Sequence, residues 1–127
     1  MTDVQFPRMR EYVLDALMSL ADREYQAREW GVYKKEENRY DDLTLNVHIL
    51  YDDCEVLPDP ASRVGSVLLP GDIQPLLRLD RALDPLIREL GDRPDSDYLS
   101  DPRWNEVLEA ACAAVAVFEN SGPTKVP

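Results

Sequence analysis

Apolar residues recur at helical spacing along most of the chain. From Pro7, the positions Met9, Tyr12, Val13, Ala16 and Leu20 share one face, and Leu14, Leu17 and Met18 widen it, which predicts a central first helix. Asp22 stands where its side chain can accept from free amides at the start of a second, short helix through Trp30, and Gly31 offers a stop. Tyr25 and Trp30 are expected to pack inward. The run from Lys34 to Asn38 reads as a solvated connection.

The segment from Asp41 to Cys54 supports two patterns. Leu43, Leu45, Val47, Ile49 and Tyr51 alternate as in a strand, whereas Leu43, Val47, Leu50, Tyr51 and Cys54 line one side of a helix. The Asp41-Asp42 pair as a cap and the absence of an obvious partner strand favour the helix, and a short β-hairpin of 43–51 with 64–69 stays open. Between Pro58 and Gly71 the pattern lapses. Asp59-Pro60, Asp84-Pro85 and Asp101-Pro102 each combine an N-cap side chain with a residue that has no amide proton to waste, so each is read as a helix start.

Leu76, Leu79, Leu83, Leu86 and Leu90 repeat at three and four, the strongest amphipathic signal in the chain. Pro85 should kink or break it, and Gly91 should end it. A last helix follows, with Trp104, Val107, Leu108, Ala111, Val115 and Phe118 on one stripe and alanines that permit close approach. These stripes predict an all-α, mainly helical fold, a compact bundle of about four to five helices. One domain over 1–120 is expected, with a frayed tail over 121–127.

A length of 127 residues suits one domain with a sizeable core, and 44% apolar with 31% charged residues is globular composition. Twenty-five acids against 14 bases give a net charge of −11, a field that repels nucleic acid and anionic lipid and attracts basic surfaces. Neither nucleic-acid nor membrane binding is expected. The start of the chain lacks the basic and apolar regions of a secretion signal, and the longest uncharged apolar stretch, Ala110 to Phe118, is too short to span a bilayer, so the cytoplasm is the expected location. Cys54 and Cys112 have no metal-ligand or redox-motif spacing and are read as core thiols.

Candidate chemistry is sparse. His48 is the only histidine, and on a helix it points away from the Leu43, Val47 and Leu50 face; no nucleophile elbow, phosphate loop or metal-binding signature occurs. The remaining candidates are acidic clusters at Asp41-Asp42, at Asp52, Asp53 and Glu55, and at Asp92, Asp95 and Asp97. Adjacency in sequence does not make carboxylates converge on a metal, so no cofactor and no metal site is expected. Asp52 and Asp53 would also fall at the C-terminal end of a helix, where its dipole disfavours anions; an outside cation could relieve this, but the expected outcome is that the small cost is tolerated or that Arg39 or Arg63 folds over them.

The stretches VLPDP, RVGSVLL, LLRLDRALDPLIRELGD and YLSDPRWNEVLEAA resemble a group of small, acidic, uncharacterised proteins common in actinobacteria, over about Tyr40 to Ala114. The resemblance implies a helical fold and carries over no site residue. By size and charge such proteins are similar to immunity proteins, which cover and block a partner toxin.

Two functions are therefore expected in order. The first is an acidic, immunity- or antitoxin-like module without enzymatic activity, binding a basic protein such as a toxin through Asp52, Asp53, Glu55, Asp92, Asp95 and Asp97, with Trp30, Tyr33 or Tyr98 as apolar anchors. The alternative is a small metal-dependent hydrolase or metal-regulated domain using the clustered aspartates. A monomer is expected unless the Leu76 to Leu90 face exceeds what one domain covers, which would give a homodimer.

Overall fold

The structure is a computed structural model that describes residues 4–121. Six α-helices follow one another: α1 (Pro7–Leu20), α2 (Arg23–Glu29), α3 (Leu43–His48), α4 (Ile73–Leu90), α5 (Asp95–Leu99) and α6 (Trp104–Asn120). The described residues contain no sheet, only isolated bridges such as Trp30 with Asp41 and Lys34 with Arg39.

The core forms where α6 packs along both α4 and α1. Leu76, Leu79, Leu83 and Leu86 of α4 are wholly buried, as are Trp104, Val107, Ala110, Ala111 and Ala114 of α6. Alanine on the inner face of α6 lets the neighbouring helices approach, while each buried leucine contributes about 1.5–3 kcal/mol. Trp104 sits edge-on to Trp30 and Tyr98, with ring centroids at 6.0 and 6.4 Å. The leucine face of α4 is thus covered by the chain's own helices.

One buried ion pair ties the ends of this core. Arg10 of α1 donates to Asp72 at 2.5 Å, with Asp72 fully buried, and the guanidinium lies 4.1 Å over the Phe118 ring of α6. Asp72 also accepts from the Leu69 amide at 2.7 Å, and Arg10 donates to the Val67 carbonyl and the Ser121 hydroxyl. Every buried side-chain polar atom among the described residues has a partner.

The ambiguous third segment is helical. Asp42 caps α3 through the Leu45 amide at 2.8 Å, Leu43 and Leu50 enter the core, and Asn46 is buried. The helix then widens into a π-turn, Ile49–Asp53, closed by the Cys54 amide on the Ile49 carbonyl. No hairpin forms with 64–69: the Arg63 carbonyl gathers the amides of Ser66, Val67 and Leu68 into a tight turn.

Several local expectations are corrected. α4 runs unbroken through Pro85, whose ring and the freed Arg81 carbonyl one turn earlier belong to exposed residues, so water can satisfy the lost acceptor. Asp84, expected as a cap, instead pairs with Arg88 at 2.6 Å. Asp59 makes no side-chain cap, whereas Asp101 accepts from the Arg103 amide at 2.9 Å just before α6. Cys54 is buried as expected, but Cys112 is exposed. Tyr12 and Met18, assigned to the buried face of α1, are exposed at 57% and 47%. Residues 122–127 of the expected tail lie outside the described residues.

Candidate functional site

The proposed acidic sites are spread over the surface, and some of them have local partners. Asp52 meets His48 Nδ1 at 2.5 Å, Glu55 pairs with Arg63, and Asp97 approaches Arg93 at 3.5 Å. Asp52 thus contacts His48 of its own helix rather than Arg39 or Arg63, and Arg63 pairs with Glu55 instead. Asp53 and Asp92 are exposed and make no ion pair among the described residues. Asp95 is half-buried and accepts from the Leu43 amide at 3.2 Å; burial, with Asp42 and Asp41 nearby, pushes its carboxyl above the usual range. No group of three His, Cys, Asp or Glu side chains able to hold a metal occurs among the described residues.

The aromatic candidates divide. Tyr33 is exposed, but Trp30 and Tyr98 belong to the core and present no anchor to a partner. Their polar atoms are spent inside: Tyr98 donates to the Gly91 carbonyl at 2.7 Å and the Trp30 indole to Ser19 at 2.9 Å.

Trp30 leads to an arrangement centred on Asp41, a member of the first acidic cluster, whose partners the sequence did not indicate. The Ser19 hydroxyl on α1 accepts from Trp30 and from Asn46 at 3.1 Å, and donates to Asp41 at 2.8 Å. Asp41 also accepts from Tyr25 at 2.7 Å and Asn46 at 3.0 Å. Behind Ser19, Gln26 donates to the Ser19 carbonyl at 2.9 Å and accepts from the Trp104 indole at 3.0 Å. A continuous polar chain therefore runs from the centre of the core out to Asp41.

At its outer end it opens into a cleft of about 570 Å³ between α1, α2 and α3, with Asp41 and Tyr25 in its lining. Tyr12 and Met18 of α1 and Tyr40 of the preceding loop line it as exposed apolar side chains. Asp15 and Asp22 bring two further carboxylates, and Arg39 is its one basic residue. Arg39 donates to the Tyr25 hydroxyl at 2.9 Å, so that phenol stands between a guanidinium and a carboxylate. Desolvation and the bond to Asp41 push the Tyr25 hydroxyl above its ordinary value.

Part of this was present in the sequence as a second stripe running along α1 to the cap of α2. Tyr12, Asp15, Ser19 and Asp22 follow one another at three and four, beside the apolar face. A polar stripe on a central helix signals either solvent or a partner inside the fold, and spacing does not tell these apart.

The described residues thus form an all-α domain with an open cleft lined by aromatic and carboxylate side chains. The chain belongs to a family described as a domain of unknown function (DUF7945), whose model matches residues 4–123. Neither a curated protein nor a solved structure matches it. No helix among the described residues is long and apolar enough to cross a membrane.

Proposed function

We propose that this chain is a cytoplasmic, acidic protein-binding module, an immunity- or antitoxin-like inhibitor that neutralises a basic partner such as a toxin and has no turnover of its own. Small size and strong acidity, as in immunity proteins, are consistent with that role. The observation that carries the reading is the cleft, where exposed Tyr12, Met18 and Tyr40 adjoin Asp15, Asp22 and Asp41. Tyrosine supplies contact area at little entropic cost, so the aromatic rim would set residence time. A net charge of −11 would speed encounter with a basic protein and disfavour nucleic acid and anionic membranes.

The test is an affinity capture of the tagged protein from its source cells at low salt, eluted with rising salt and identified by mass spectrometry, followed by titration of the purified pair. A basic partner whose affinity falls with salt and with Tyr12→Ala or Tyr40→Ala supports the reading. No partner above background across repeats, or an affinity indifferent to salt and to both substitutions, overturns it. Thermal shifts with divalent ions would then address the metal-dependent alternative.

A further inference from the structure

We infer that the cleft is a receptor for an arginine side chain of the partner, and that Arg39 is an internal competitor for the same place. The inference rests on the binding-module reading and names the group recognised.

Charge within the cleft is the first ground. Asp15, Asp22 and Asp41 line it, and none of the three forms an ion pair among the described residues, although acids elsewhere do, as Glu55 does with Arg63 and Glu89 with Arg103. Arg39 also lines the cleft but reaches only the Tyr25 hydroxyl there, and its other contact is Glu37 at 3.4 Å. Three carboxylates against one guanidinium leave the cleft short of positive charge.

Asp41 is the second ground. Its oxygens are held by neutral donors alone: Ser19 and Tyr25 on Oδ2, Asn46 on Oδ1. A carboxylate offers about four lone-pair positions, so Oδ1 retains capacity for a further donor. These three bonds also fix the carboxylate before any ligand arrives, which lowers the ordering cost of binding.

The walls decide which cation. Tyr12, Tyr25 and Tyr40 place aromatic rings in the same cleft. A guanidinium is flat, stacks on such faces and offers a fork of donors to carboxylates, whereas an ammonium is a strongly hydrated point charge. Arg39 already shows the first half of that chemistry, with its guanidinium carbon 5.9 Å from the Tyr25 ring centroid. A cleft of about 570 Å³ has room for an incoming guanidinium and its stem once Arg39 has swung aside.

Arg39 can yield its place without refolding. Its backbone is pinned by the Lys34 amide on its carbonyl at 2.7 Å and its own amide on the Lys34 carbonyl at 3.1 Å. The side chain beyond is half exposed, so displacement requires only a change of rotamer.

The experiment is a titration of the ¹⁵N-labelled protein with N-acetyl-arginine amide, followed by amide chemical shifts, alongside N-acetyl-lysine amide and inorganic phosphate. Saturable millimolar binding of the arginine probe, with shifts centred on Tyr12, Tyr25, Asp41 and Asn46, is expected. Arg39→Gln should tighten it by about threefold or more, as removing an occupant that fills the site most of the time would do. Tightening by Arg39→Gln is the readout that a merely structural role for Arg39 would not give.

Equal binding of the lysine probe, shifts spread over Asp52, Asp53 and Asp92, saturation by phosphate, or weaker binding by Arg39→Gln would each overturn the inference. A captured partner whose affinity responds to salt and Tyr12→Ala but ignores Arg39→Gln would overturn it while leaving the binding-module reading intact. Saturation by the arginine probe with no partner captured would support the receptor and count against the inhibitor role alone.

Discussion

The Ser19 hydroxyl donates to Asp41 at 2.8 Å while accepting from the Trp30 indole at 2.9 Å, so one small side chain joins the core to the floor of the cleft. Ser19→Ala removes both functions at once. The buried indole N–H of Trp30 would lose its acceptor, at a cost of about 1–3 kcal/mol. A lower midpoint in urea with an unchanged slope is the expected result; an unchanged midpoint would show that water replaces the hydroxyl.

Arg10 and Asp72 behave differently from the surface pairs because Asp72 has no exposure. Arg10→Met would strand a buried carboxylate that still accepts from Leu69, and about 3–5 kcal/mol of destabilisation is expected. Adding Asp72→Asn removes the stranded charge while keeping an acceptor for Leu69, so the double variant should recover part of the loss. Chemical denaturation of the three proteins measures both effects.

Asp95 is expected to oppose folding at neutral pH. Its carboxyl is raised by burial first and then by Asp42 and Asp41, despite the favourable bond from Leu43. A raised acid contributes stability fully below its unfolded value, near 3.9, and loses that contribution as pH rises through the folded value. At pH 7 the ionised form is therefore a net cost, lessened by solvent screening. Asp95→Asn, whose side-chain carbonyl still accepts from Leu43, should raise the melting temperature at pH 7, and the gain should vanish toward pH 3. A gain independent of pH would assign the effect to something other than charge.

The two thiols should separate on reaction with a disulfide reagent. Cys112 is exposed, whereas Cys54 is buried and burial pushes its thiol up. One fast equivalent in the native protein and a second only in denaturant is expected, and Cys112→Ser should abolish the fast one. Two fast equivalents would mean that the π-turn region opens readily.

The stripes of α4 and α6 were legible because a wide apolar face on a long helix has few ways to be buried, and Leu79 and Val107 sit where the spacing puts them. Asp22 was legible as a cap because its partner, the Tyr25 amide, is local. Pro85 misled because its cost depends on which side of α4 faces water, a tertiary fact. Tyr12, Met18 and Cys112 misled for a related reason: their neighbours on the helix are apolar, but no other element comes to cover them. The cleft was the least legible part. Its residues come from α1, α2, a loop and α3, and Asp41 and Ser19 are brought together only by folding, whereas the conspicuous acid runs near Asp52 and Asp95 lie elsewhere on the surface.

The chain of bonds through Ser19 also acts on the alignment of the helices. Apolar packing alone tolerates small slides, since leucine against leucine differs little from leucine against methionine. A slide of α1 by one residue would present Met18 or Leu20 to the Trp30 indole, to Asn46 and to Asp41 together, leaving all three without their shared partner. The interior polar residues thus act as a key that rejects near-miss arrangements of α1 against α2 and α3, and the cleft inherits its shape from that selection.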